Sequence, residues 1–179
     1  MKSVKFRMIA IALLSATMPF TAKAQDKVEA SVSADFVSNY IWRGTDCGVS
    51  IQPSMGVSYK GLSLAAWGSV GIDKEDAREI DLTLGYNTGG FNVSVTDYWF
   101  SYHKEDGGYT GDYFKYGAHS TIHIFEATLG YDFGPLALSW NTYFAGDDYT
   151  KENGDRAYST YVGISAPFKL GGLDWSAEV

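Results

Sequence analysis

His119, Ser120 and His123 are the tightest group of chemistry-bearing residues in the chain. With Glu126 or Asp97 as the acid, they hold the residue types of a nucleophile–base–acid hydrolase. Their spacing opposes that use. Neighbours in an extended chain point to opposite faces, so Ser120 turns away from His119. His119 and His123 share a face, but four residues of strand span ~13 Å, too far for one metal ion with ligands ~2 Å away. The reading favoured is polar surface near the outer rim of the fold, with no catalytic group. Carboxylates and glycines also gather at residues 73–76, 106–112 and 147–155. None follows the spacing of an EF-hand calcium loop, so these read as solvated loops, and no metal or cofactor is expected.

A second set of charges has a clearer use. Glu29, Asp35, Arg43, Asp81, Glu126, Asp132, Asp174 and Glu178 all fall on the polar parity of alternating segments. Val28, Ala30, Val32, Ala34 and Phe36 alternate with Glu29, Ser31, Ser33 and Asp35, and the parity continues to Tyr40 and Trp42. Val49 to Tyr59, Leu62 to Ile72, Ile80 to Tyr86 and Phe91 to Trp99 repeat the pattern. So do Phe125 to Phe133, Leu136 to Phe144, Tyr158 to Phe168 and Leu173 to Val179. Period two is the strand period, and no stretch sustains a helical one. The chain is therefore read as all-β, with nine strands.

Composition agrees. In 179 residues, 16% are aromatic and only 20% charged, with 20 Gly, 4 Pro and a formal net charge of −7. The aromatic content excludes disorder, and the acidic balance argues against a nucleic-acid partner. A single Cys, Cys47, excludes a disulfide framework or Cys-cluster metal site and reads as a loop thiol without function.

Lys2, Lys5 and Arg7 precede an apolar run over residues 8–14, and Ala22-Lys23-Ala24 follows. This is the layout of a secretory signal cut after Ala24, too short to span a membrane as a helix. Residues 1–24 are thus expected to be a cleaved signal peptide, and residues 25–179 an exported β domain.

Alternation leaves open which face is enclosed. In a soluble barrel the apolar parity points inward; in an outer-membrane barrel it meets lipid and the polar parity lines the interior. Connection lengths decide between them. They run long, short, long, short: residues 44–48, then 60–61, 73–78, 88–90, 103–112, 134–135, 146–156 and 170–172. Bacterial outer-membrane barrels alternate short periplasmic turns with long outer loops in this way. Trp42, Tyr59, Tyr86, Trp99, Phe133, Phe144 and Phe168 fall near strand ends on the apolar parity, where interfacial aromatic girdles sit. The expected fold is an antiparallel up-and-down transmembrane β-barrel. Nine strands are visible; an even total of ten or twelve would imply a chain truncated at its C-terminal end.

Two places break the pattern. Asp97 falls on the apolar parity between Val95 and Trp99, so it is expected near the outer interface or beside a bulge. Ile122 and Ile124 oppose the parity of Phe125 and Ala127, which a bulge near Ile124 would repair, as would placing the segment before Phe125 above the membrane.

The stretch Ser33-Ala34-Asp35-Phe36-Val37-Ser38-Asn39-Tyr40-Ile41-Trp42-Arg43-Gly44 resembles the first-strand Ser-Asp-Tyr-x-x-Arg-Gly pattern of the TorF-like family of outer-membrane porins, with Asn39 rather than Asp before Tyr40. Gln52-Pro53, residues 61–69 and residues 79–86 are similar to that family's next three strands. The resemblance implies a porin and names no catalytic residue or solute. Its partners would be outer-membrane lipid, small hydrophilic solutes, and periplasmic chaperones and barrel-assembly machinery during biogenesis.

Seven of the eight lumen candidates are acidic, so an open pore would favour cations or neutral solutes. Arg43 is expected to pair with Asp35 or Asp81. The alternatives are a non-conducting barrel whose charged loops bind a ligand or surface, a lipid-modifying enzyme using His119 or His123, and a soluble lipocalin-like barrel.

Overall fold

The computed structural model describes residues 27–73, 76–105, 107–118 and 120–179. The expected signal peptide and His119 lie outside them. Eleven strands form: β1 (Glu29–Val37), β2 (Ile41–Trp42), β3 (Thr45–Asp46), β4 (Ser50–Tyr59), β5 (Leu62–Gly71), β6 (Arg78–Thr88), β7 (Phe91–Ser101), β8 (Ile124–Asp132), β9 (Ala137–Gly146), β10 (Thr160–Leu170) and β11 (Leu173–Glu178). Nine make one antiparallel meander in the order β1-β4-β5-β6-β7-β8-β9-β10-β11, and β2 pairs only with β3. No ladder joins β1 to β11, so the sheet is not closed into a barrel. No helix of the described residues is long and apolar enough to cross a membrane.

The nine long strands are those the alternation marks. Turns fix their register. Lys60 and Gly61 both have positive φ, 48° and 86°, the pairing that two-residue hairpins favour because its twist matches that of the strands. Gly89-Gly90 and Gly171-Gly172 repeat it with glycine at both positions. The connections alternate long and short as expected, but three are longer: β1 to β4 takes residues 38–49, β7 to β8 residues 102–123 and β9 to β10 residues 147–159. The Ser120 region is therefore not strand.

Burial is inverted relative to an ordinary core. Among the described residues the only large apolar or aromatic side chain that is buried is Tyr143. The other buried side chains are Ser50, Gln52, Ser63, Ser69, Glu79, Asp81, Thr96, Ser101, His123, Glu126 and Asn141. All of these but Ser101 and His123 lie on the polar parity. The apolar parity is exposed over most of the sheet, with Val32 at 83%, Leu64 at 54% and Val162 at 61%, and is partly covered around Asp97, Trp99 and Phe125.

The sheet is strongly curled. The Arg43 guanidinium meets Glu126 of β8, Tyr143 of β9 and Tyr161 of β10, and Tyr98 of β7 hydrogen-bonds the same Glu126 carboxylate. On a flat sheet β7 and β10 would stand ~14 Å apart.

The first strand ends earlier than its parity suggests. It stops at Val37, and residues 38–48 fold back over the polar face as the β2–β3 hairpin. Tyr40 N–H donates to the Gly48 carbonyl at 2.7 Å, Cys47 N–H donates to the Tyr40 carbonyl at 2.7 Å, and Arg43 and Gly44 turn with φ of 49° and 82°. Trp42 therefore does not stand in an outward girdle. It packs on the polar side against Tyr98 and Phe100, at ring separations of 6.2 and 6.4 Å. The other six girdle candidates are on the opposite face. Tyr59, Tyr86, Phe133 and Phe168 are beside the short turns, and Trp99 and Phe144 are toward the long connections.

Gly61→Ala should destabilise the sheet by about 1–3 kcal/mol, because a Cβ there would strike the Asn87 carbonyl oxygen. Gly171→Ala, at a positive φ with nothing within 4 Å, should cost less. Urea unfolding in detergent micelles checks the order; equal midpoints for the two variants would contradict it.

Candidate functional site

Two polar clusters form, one on each side of the sheet. The inner one is built by β6 to β10 and the hairpin. Arg43 reaches Glu126 with Nη2 at 2.9 Å from Oε1 and 2.7 Å from Oε2. Tyr98 Oη donates to the same Oε1 at 2.9 Å. The guanidinium carbon lies 4.8 Å from the Trp42 ring centre, 4.7 Å from Tyr161 and 6.0 Å from Tyr143. Aromatic faces attract a cation through their quadrupoles, so the charge is held by one carboxylate and three rings. Burial works against the charge, but the Glu126 carboxylate outweighs it, and the Arg43 pKa lies above its ordinary value.

Beside this pair stand two more buried acids. Tyr40 Oη donates to Glu79 Oε2 at 3.1 Å. Asp81 is 4% exposed, between its cross-strand neighbours Trp67 and Tyr98. The ring of Tyr40 meets Trp67 edge-on at 5.6 Å. The inner face thus concentrates Glu79, Asp81 and Glu126 against the single cation Arg43, within an aromatic wall.

The predicted lumen residues divide by position. Arg43, Asp81 and Glu126 are in this cluster. Glu178 is at its margin and accepts a hydrogen bond from Tyr161 Oη at 3.1 Å. Glu29 and Asp35, on the edge strand β1, pair in register with Ser58 and Gln52 and stay exposed. Asp132 accepts the Gly134 N–H at 2.6 Å in a short turn, and Asp174 forms an exposed ion pair with Lys169 at 2.8 Å. The expected partners of Arg43, Asp35 and Asp81, are replaced by Glu126, because the hairpin carries Arg43 across the face to β8. Glu79, Tyr40, Tyr98, Tyr143 and Tyr161 were not singled out from the sequence. Glu79 was findable, since it shares the parity of Asp81.

The outer cluster resolves the Asp97 anomaly. Asp97 Oδ1 lies 2.7 Å from His123 Nδ1, and Oδ2 accepts from Tyr116 Oη at 3.2 Å. His123 Nε2 lies 2.7 Å from the Tyr113 carbonyl. A carbonyl only accepts, so Nε2 donates there. Trp99 and Phe125 complete the cluster through ring contacts with Tyr113 and His123. The carboxylate on the apolar face is covered and satisfied by the segment linking β7 to β8. It also pairs in register with Phe125, where the β8–β9 ladder shifts: Phe125 faces Ala145 and Glu126 faces Tyr143, leaving Phe144 as the extra residue. That bulge is on β9 and leaves the parity of β8 unchanged; the conflict at Ile122 and Ile124 ends because β8 starts at Ile124 and Ile122 lies outside it.

His123 is 0% exposed, not surface. Both ring nitrogens are engaged, which leaves no lone pair for a substrate. Ser120 donates its N–H to the Gly117 carbonyl within a turn and makes no contact with this ring. Among the described residues no three His, Cys, Asp or Glu side chains converge as metal ligands. Cys47 is a free thiol.

His123→Ala removes the ring's hydrogen bonds to Asp97 and to the Tyr113 carbonyl, so it should release the segment from β7 and speed tryptic cleavage after exposed Lys115 at least roughly tenfold. A gel time course in micelles reads the rate; cleavage as slow as in the parent protein would contradict the clasp. Compared with protein-family models, with curated proteins and with solved structures, the chain matches none.

Proposed function

We propose that the protein is an outer-membrane β-barrel that passes small hydrophilic solutes by diffusion, through an interior lined by the polar parity and narrowed by the β2–β3 hairpin. One observation carries this reading: the sheet encloses Ser, Gln, Thr, Asn, Asp and Glu and leaves its Val, Leu and Ile exposed. In water an apolar face of this extent would be covered; in hydrocarbon it is the face a strand must present. The leader, the alternating connections and the resemblance to the TorF-like porins support the same reading.

The reading sets a condition. An open sheet edge in lipid leaves N–H and C=O groups unpaired, so β1 and β11 must find ladder partners there. The mechanism needs no catalytic group. Glu79, Asp81 and Glu126 outweigh Arg43 beside the hairpin, and rings of side-chain charge set selectivity, so cations and neutral solutes pass best. The inward hairpin favours a second reading, a barrel that does not conduct and binds through its charged outer loops.

Purified protein in a planar bilayer under a KCl gradient should give discrete conductance steps and a reversal potential on the cation-selective side. Glu79→Gln with Asp81→Asn should reduce the K⁺/Cl⁻ preference several-fold. Folded protein that inserts without steps would refute the porin and leave the second reading.

A further inference from the structure

The seat of Arg43 is built almost entirely by residues outside the hairpin that fills it. Glu126 comes from β8 and is 1% exposed; Tyr98, Tyr143 and Tyr161 come from β7, β9 and β10. A buried carboxylate flanked by aromatic faces is the chemistry that recognises a guanidinium group. The hairpin that brings the occupant is slight, with two ladder pairs, Ile41–Asp46 and Trp42–Thr45.

The occupant also fits imperfectly. Both short contacts to Glu126 come from the one nitrogen Nη2. Arg43 Nε is buried with no hydrogen-bond partner, and Glu126 Oε2 receives no well-directed hydrogen bond. A guanidinium and a carboxylate bond best side by side, two N–H groups to two oxygens. The tether holds Arg43 short of that alignment, which a free ion would reach.

We propose that this seat is a guanidinium-binding site which the chain's own hairpin occupies as a tethered ligand, so that free guanidinium-bearing solutes compete with Arg43 for it. Where such a solute wins, the hairpin is released from β8. That the release then widens a pore rests on the porin reading above; the seat itself does not.

The test uses the full chain in detergent micelles, with methylguanidinium chloride as probe and NaCl at equal concentration as control. In Arg43→Ala, low-millimolar methylguanidinium should raise the thermal midpoint by several degrees, with no such effect of NaCl. Arg43→Ala with Glu126→Gln should lose the response. The parent protein, with its seat filled, should need roughly tenfold more probe, since the tether holds Arg43 at a high effective concentration. Arg43→Lys, which keeps the charge but not the planar fork, should respond between the two and serves if Arg43→Ala does not fold. Equal responses to the two salts, or a response unchanged by Glu126→Gln, would overturn the site. In bilayers, methylguanidinium should reduce the conductance of Arg43→Ala. Absence of conductance in every variant would count against the porin alone, because the thermal midpoints decide the seat independently.

Discussion

A strand with period-two patterning has to give one face to apolar side chains and the other to polar ones, and the direction in which the sheet curls decides which face is enclosed. Here the polar face is enclosed. That constraint governs every other feature. Polar groups taken from solvent need partners, and many find them across strands: Thr83 with Thr96 at 3.0 Å, Thr128 with Asn141 at 2.9 Å, Ser63 with the Gly85 carbonyl at 3.3 Å. The interior is held by hydrogen bonds and by one ion pair, where an ordinary domain would rely on packed aliphatic side chains.

The hairpin after β1 is the second consequence. An enclosed acidic face with Glu79, Asp81 and Glu126 close together is electrostatically unfavourable unless a cation enters it. Arg43 supplies that cation, and the chain must leave the sheet at Val37 to deliver it. Trp42 and Tyr40 then lie along the same wall. A buried pair of this kind is weak evidence of stability in itself; its more informative property is placement, since it pins a short excursion near the chain's start to β8.

Much of the fold was legible because its signals are local. Alternation marks the long strands, and Lys60-Gly61, Gly89-Gly90 and Gly171-Gly172 mark hairpins through residues suited to positive φ. The site was less legible, because its contacts are long-range. Arg43 and Glu126 are separated by 83 positions, and nothing near either names the other. Trp42 was misplaced for a related reason: it continues the parity of Val32, Ala34 and Phe36, so periodicity carried the strand past its true end. Asp97 looked like an error in the apolar stripe, and only the return of Tyr113, Tyr116 and His123 across the outer face explains it. Closure of the sheet has no local signal of any kind.

The central claim is that the exposed apolar face meets hydrocarbon and the enclosed polar face does not. Two tryptophans separate these faces: Trp140, 47% exposed in the middle of β9, and Trp67, on the polar side against Tyr40. Single-tryptophan variants retaining one or the other, reconstituted in vesicles of lipids brominated along the acyl chain, report contact with hydrocarbon directly. Strong quenching of Trp140 with little of Trp67 is the result expected. Quenching of Trp67 in preference to Trp140, or folded protein that stays in the aqueous phase with neither quenched, would contradict it.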